Sequence, residues 1–264
     1  MLIDFHTHAF HPKIAPKAVE HLNEHYKITC ECSGLMDELC KRIKKAGLNK
    51  MVVLCAATTP AQVIPANNFA LSLKAAHPEA IPFGTIHPYY SDWETQLSRL
   101  KSQGVKGLKL HPDFQGFFLD DPKLLPIIEA AQKDFVFLMH IGDTLPPENN
   151  PSCPYKLAKL VKNFPQGRFV AAHMGGFRHW RHAVEVLPQK NVYIDTSSTL
   201  DEIDDTTLRE ILKKQPYDRI LFGSDYPLYS PDREIIKLKK RLKLSTTQLE
   251  EFLRNGADLL GITE

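Results

Sequence analysis

Eight short apolar runs, each with a polar tip and then a helix-period stretch after it, constrain this chain more than any other feature. They are LIDFH (2–6), MVVLCAA (51–57), IPFGTIH (81–87), GLKLH (107–111), FVFLMH (135–140), FVAAH (169–173), VYIDT (192–196) and ILFGSD (220–225). Runs this short, rich in β-branched and aromatic residues, read as parallel strands covered by helices on both faces. Between them lie amphipathic stretches such as LMDELCKRIKKAG and REIIKLKKRLK. Several have Ser, Thr, Asp or Asn near the start or Gly near the end, as helix caps require. Eight strand–helix units in 264 residues average about 33 residues each, which predicts a distorted (β/α)8 TIM barrel. A doubly wound open sheet is the competing α/β architecture, but no glycine-rich phosphate loop follows the first strand.

No sequence repeat or low-complexity linker divides the chain, so residues 1–264 are expected to form one domain. The final stretch, STTQLEEFLRNGADLLGI, predicts extra C-terminal helices. Residues 9–33 interrupt the rhythm, separating strand one from the helix predicted near Gly34–Gly47. Insertions after barrel strands lie on the face where active sites form, so 9–33 is expected to be a lid or substrate wall. A plain surface excursion is the alternative.

The charge count of 33 basic against 31 acidic residues gives no reason to expect nucleic acid or an anionic membrane as a partner. No apolar run approaches the roughly 18 residues needed to span a bilayer, and the N-terminus lacks the features of a secretory leader. Five cysteines, an odd number with Cys55 inside an apolar run, argue against a disulfide framework. A reducing cytoplasm is the expected location. Cys30 and Cys32 form a CxC pair with no second pair to complete a zinc site.

Six of the twelve histidines fall at or just past the end of a predicted strand: His6, His8, His87, His111, His140 and His173. All strand C-termini of a barrel open onto one face, so these residues converge in space. Alternation along a strand lets His6 and His8 serve one ion. On the same argument Val136, Leu138 and His140 share a face, as do Leu221, Gly223 and Asp225. Three imidazoles and a carboxylate suit a divalent transition metal, Zn²⁺ first, with Mn²⁺ or Fe²⁺ as alternatives. Asp4 shares parity with His6 and could orient a ligand histidine.

These residues resemble a known family. DFHTH, MHIGD, AAHMGG and FGSDYP, with GLKLHPDFQGF and the closing RNGADLLGI, are similar to the amidohydrolase superfamily. They look closest to the amidohydrolase-related branch that includes aminocarboxymuconate semialdehyde decarboxylase. The resemblance covers essentially the whole chain. It implies a metal at the strand C-termini, with His6, His8, His140 and Asp225 as ligands. His173 would be a further ligand or a general acid/base. Binuclear relatives bridge two metals with a carbamylated lysine on strand four, where Lys109 lies; one metal and no carbamate is the expectation here. Relatives are often dimers, so a homodimer is the default.

Three functions follow for a small-molecule substrate. The first is a metal-dependent hydrolase of an amide, lactone or ester, with Asp225 as base and His173 orienting water or donating a proton. The second is a non-oxidative decarboxylase using the same ligands. The third is a non-catalytic metal- or ligand-binding barrel. His111, Lys109 and Arg178 are the expected substrate contacts. His87 is expected to be structural, and Asp143 is a weaker loop candidate.

Overall fold

The structure is a computed structural model and describes residues 1–188 and 191–262. Strands β1 (Ile3–Thr7), β2 (Lys50–Leu54), β3 (Ala80–Thr85), β4 (Gly107–Leu110), β5 (Val136–Met139), β6 (Arg168–Ala171), β7 (Val192–Asp195) and β8 (Ile220–Leu221) pair in sequential parallel order. Every predicted apolar run contributes one of them. Helices α1 (Ala15–Tyr26) and α2 (Met36–Lys45) follow β1, and α3 (Val63–Ala76) follows β2. Next, α4 (Trp93–Ser102) follows β3, while α5 (Pro112–Gln115) and α6 (Leu125–Ala131) follow β4. The remaining helices are α7 (Pro154–Asn163), α8 (Trp180–Val186), α9 (Asp205–Lys214), α10 (Pro231–Arg241) and α11 (Thr246–Leu260). This is a TIM barrel with an extra C-terminal helix, α11, formed by the stretch that reads as one or two closing helices in the sequence. The Ser245 capping box starts that helix and left-handed Gly261 ends it.

The distortion lies at the seam. β8 is only two residues long, and β1 shifts register between Asp4 and Thr7. The barrel closes through single bonds instead of a regular ladder. Phe5 N donates to Phe222 O at 2.7 Å, Asp225 N to His6 O at 2.8 Å and His8 N to Tyr226 O at 2.7 Å.

The apolar side chains divide by strand parity. Phe137, Met139, Phe169 and Leu110 pack outward with Leu39, Ile43, Leu157 and Leu160 of the helices. Val136, Leu138, Val170, Val52, Phe83 and Leu221 form a second cluster with Phe5. Phe5 and Phe83 meet edge to face at 5.9 Å although β1 and β3 are not neighbours, so this cluster fills the barrel interior. Ala257, Leu259 and Leu260 of α11 join it, and Arg168 at the start of β6 bonds Leu259 O. α11 therefore plugs the N-terminal end of the barrel, and the opposite end is left for a site.

Gly107 makes room for this interior. A Cβ there would sit 2.3 Å from the Phe83 ring, which is wedged and fully buried. Gly107→Ala is expected to lower stability by about 1–3 kcal/mol, the usual cost of overpacking. Denaturant unfolding measures it; an unchanged midpoint would show that the interior yields more readily than its packing indicates.

Candidate active site at the barrel mouth

The polar residues at the strand ends meet where β1 and the segment after β8 close the barrel. His6 Nε2 lies 3.2 Å from His8 Nε2, and Asp225 Oδ1 lies 3.4 Å from the first and 3.5 Å from the second. The other ring nitrogens are already engaged. His6 Nδ1 bonds Asp195 Oδ2 at 2.8 Å, and His8 Nδ1 bonds Leu54 O at 3.3 Å. With those nitrogens donating, both Nε2 atoms present lone pairs to each other and to a carboxylate. Burial, then Lys109, pushes His6 down to about 4, and burial pushes His8 down as well, so neither ring carries a proton to bridge the gap near neutral pH. Burial alone would raise Asp225, but His6, His8 and His173 outweigh it and hold the carboxyl well below its usual range. Three acceptors facing one another in a buried pocket fit a divalent cation.

Buried Lys109 is the cation nearest to this group, with Nζ 3.4 Å from His6 Nε2; burial lowers its pKa to about 8. It faces the imidazole and does not pair with Asp4. His173 Nε2 contacts His140 Nδ1 at 3.0 Å, while His173 Nδ1 contacts Ser197 O at 3.1 Å and lies 3.9 Å from Asp225 Oδ2. His140 thus stands one step from the His6–His8–Asp225 group, linked through His173. Its Nε2 is buried without a hydrogen-bond partner, 3.9 Å from Asp143 Oδ2.

The remaining expected contacts fall further out. His111 is buried and stacked between His140 at 3.9 Å and Phe114 at 4.1 Å, and its Nδ1 accepts from Phe114 N. Its ring face covers the His140 ring. Arg178 is partly exposed and pairs with Glu202 at 3.0 Å, so Glu202 and not Arg178 reaches the cavity wall. His87 bonds Gln115 O at 2.9 Å and accepts from Tyr89 N, a structural arrangement. Asp143 receives His25 Nε2 of α1 at 3.2 Å.

Asp195 is the residue that sequence reasoning missed. Asp4 does not orient a histidine ring: its Oδ1 accepts from the His6 and Ser224 backbone, its Oδ2 has no partner, and burial raises its pKa to about 7. Asp195, at the end of β7, takes that part. It holds His6 Nδ1 and accepts from His173 N at 3.1 Å and from the Ser197 hydroxyl. Burial opposes its ionisation, but these neighbours bring its pKa down to about 2. The available signal was its position, a lone charge closing the apolar run VYIDT at the mouth.

Above the base, a cleft of about 280 Å³, open solvent included, has apolar walls from Tyr26, Ile28, Phe177, Leu228 and Tyr229. Tyr26 and Ile28 come from the 9–33 segment. His140, His173, Ser198 and Asp225 form its floor.

The fold and donor set are those of a barrel built around a polar mouth, and comparison with known proteins names the class. The chain belongs to the amidohydrolase family, whose model matches residues 3–259. No curated protein sequence matches it. Among solved structures it resembles 5-carboxyvanillate decarboxylase from Sphingomonas paucimobilis (16% identity, TM-score 0.74, 99% of each chain covered). A dihydroxybenzoic acid decarboxylase from Polaromonas, with bound manganese and the inhibitor 2-nitroresorcinol, aligns at 16% identity and TM-score 0.72 over 100% of this chain and 97% of that one. A protein from Acinetobacter baumannii described as a probable 2-pyrone-4,6-dicarboxylic acid hydrolase, with citric acid bound, aligns at 14% identity and TM-score 0.67 over 98% and 99%. Among the described residues no helix is long and apolar enough to cross a membrane.

Asp195→Asn is expected to weaken divalent-metal binding about 10–100-fold while leaving the fold intact, because the carboxylate fixes the His6 tautomer. Titration against a competing chelator reads the effect. An unchanged affinity would reduce Asp195 to a packing residue.

Proposed function

We propose that this protein is a metal-dependent hydrolase acting on an amide, lactone or ester of a small molecule. The observation that carries the metal is the convergence of His6 Nε2, His8 Nε2 and Asp225 Oδ1 within 3.2, 3.4 and 3.5 Å of one another in a buried pocket. His6, His8 and Asp225 would hold one divalent ion, with His140 as the fourth protein ligand; Zn²⁺ is the first choice for such donors and Mn²⁺ the second. The bound ion supplies Lewis acidity, which polarises a carbonyl and acidifies water.

The chain's own groups handle the protons. Asp225 has Oδ1 toward the histidines and Oδ2 toward the Ser198 hydroxyl and His173. It is therefore placed to take a proton beside the ion and pass it toward the leaving group. His173, held on Nδ1 by Ser197, orients the nucleophile or protonates the leaving group through Nε2. Lys109, buried under the donors, can hold negative charge that develops on the substrate. The apolar walls admit a flat or hydrophobic acyl group and exclude bulk water. The substrate is a small molecule taken up from solution; a homodimer is the proposed assembly and the cytoplasm the proposed location.

A non-oxidative decarboxylase is the second reading, favoured by the structural likeness to two aromatic-acid decarboxylases. The same ligands would then hold a carboxylate substrate, and His173 would protonate the carbon that loses CO₂.

The mouth of the purified protein is expected to hold about one equivalent of divalent metal, with activity lost on chelation and restored on re-addition. Elemental analysis that finds no transition metal after gentle purification would remove the basis of both readings. Asp225→Asn is expected to cut turnover by about 10²–10⁴-fold with metal retained. A substrate screen run in ¹⁸O-water decides between the two readings: label in the organic product marks hydrolysis, and CO₂ release with an unlabelled organic product marks the lyase.

A further inference from the structure

We infer that a second metal site, unrelated to the mouth, joins helix α2 to the turn between α3 and β3 through Cys40, His77 and Glu79. Cys40 Sγ lies 3.8 Å from His77 Nδ1, and the donor atoms of all three residues lie within 4.8 Å of one another. The thiol also hydrogen-bonds the Glu79 carboxylate. Tetrahedral zinc with bonds near 2.0–2.3 Å sets its ligand atoms about 3.3–3.6 Å apart, so closing the group shortens the donor separations by at most about 1.5 Å. Thiolate, imidazole and carboxylate together are a zinc-type donor set, and two negative ligands neutralise a divalent ion.

The backbone holding these donors is fixed. His77 ends α3 with its N–H on Leu73 O at 2.9 Å, and its carbonyl accepts from Ala80 N at 3.0 Å. Glu79 O accepts from Met51 N of β2 at 3.1 Å, and the Lys50 ammonium holds Pro78 O at 2.7 Å. Cys40 sits mid-helix on α2, packed against the core. Binding replaces the thiol proton, which goes to solvent, with a metal–sulfur bond. All three donors are part-buried, which leaves a fourth position for water or for a further donor. Asp37, one turn earlier on α2, lies close enough for its charge to act on the thiol. The site is a clip between α2 and the end of α3, joining donors that lie 37 residues apart in sequence.

Cobalt separates this site from the mouth, whose donors include no sulfur. Titration of the full-length, metal-stripped protein with Co²⁺ is expected to give a near-ultraviolet thiolate-to-cobalt charge-transfer band. Binding should saturate one equivalent higher in the wild type than in Cys40→Ser. Cys40→Ser and His77→Ala should both lose the band while circular dichroism and the visible cobalt bands of the mouth persist. A His6→Ala/His8→Ala double variant should keep the charge-transfer band and lose the mouth bands, so failure of either site is seen separately. A wild type with no thiolate band, or a band that survives Cys40→Ser, overturns the inference.

Discussion

Closing the barrel and assembling the site are one event. The bond from Asp225 N to His6 O and the bond from His8 N to Tyr226 O tie the last strand segment to the first. The same bonds set Asp225 beside the two histidines of β1. Parallel strands need backbone partners on both edges, and a barrel is the arrangement that leaves no edge. His6 and His8 at the end of β1 and Asp225 after β8, 217 or more residues away, are therefore held to a few ångströms of one another by main-chain bonds. The plug of α11 beneath the interior completes this logic by forcing every functional group to the opposite end.

The mouth is also where the backbone leaves ordinary geometry. His173, Ser198 and Asp225 all occupy the left-handed region, at φ of 61°, 48° and 61°. Non-glycine residues hold such angles at a cost of order 1–3 kcal/mol each, and only where their surroundings enforce it. Here Asp195, Ser197 and the seam bonds enforce it. After β6, β7 and β8 the chain turns abruptly, and that turn aims a side chain across the mouth instead of along the strand. β8 is short because its continuation, Phe222 to Tyr226, gives up ladder pairing to present Asp225.

Much of this was legible in the sequence, for a physical reason. Strands buried on both faces must be apolar, so a polar residue toward the end of a run, such as His6, Lys109, His140 or Asp225, stands out against it. Parity then groups Leu138 with His140 and Leu221 with Asp225, and Leu138 and Leu221 do face the barrel interior. What parity cannot supply is partnership. Asp4 and Asp195 are each lone carboxylates on apolar strands, and only the register of β7 against β8 and the seam puts Asp195, not Asp4, against His6 Nδ1. The Arg178–Glu202 pair was hidden for a related reason: Arg178 lies in a turn at φ 60°, where no periodicity says which way a side chain points. Cys40 and His77 come together by helix packing, which leaves no local pattern at all.

Charge balance states what the buried mouth requires. Asp195 and Asp225 are ionised, His6, His8, His111 and His140 are held neutral, and Asp4 is pushed up to about 7 by burial. Lys109 supplies one positive charge against two negative ones, and its own pKa has fallen to about 8. Buried charge without compensation is costly, and the deficit is of the sign that a cation removes. A dication over-corrects it by one unit, leaving a site that favours an anionic group arriving from the cleft. Such a group could be the charge that develops on a carbonyl under attack or a carboxylate already present on the substrate. The site's electrostatics thus serve hydrolysis and decarboxylation equally well, and the choice falls to what the Tyr26–Phe177–Tyr229 walls admit and where His173 can deliver a proton.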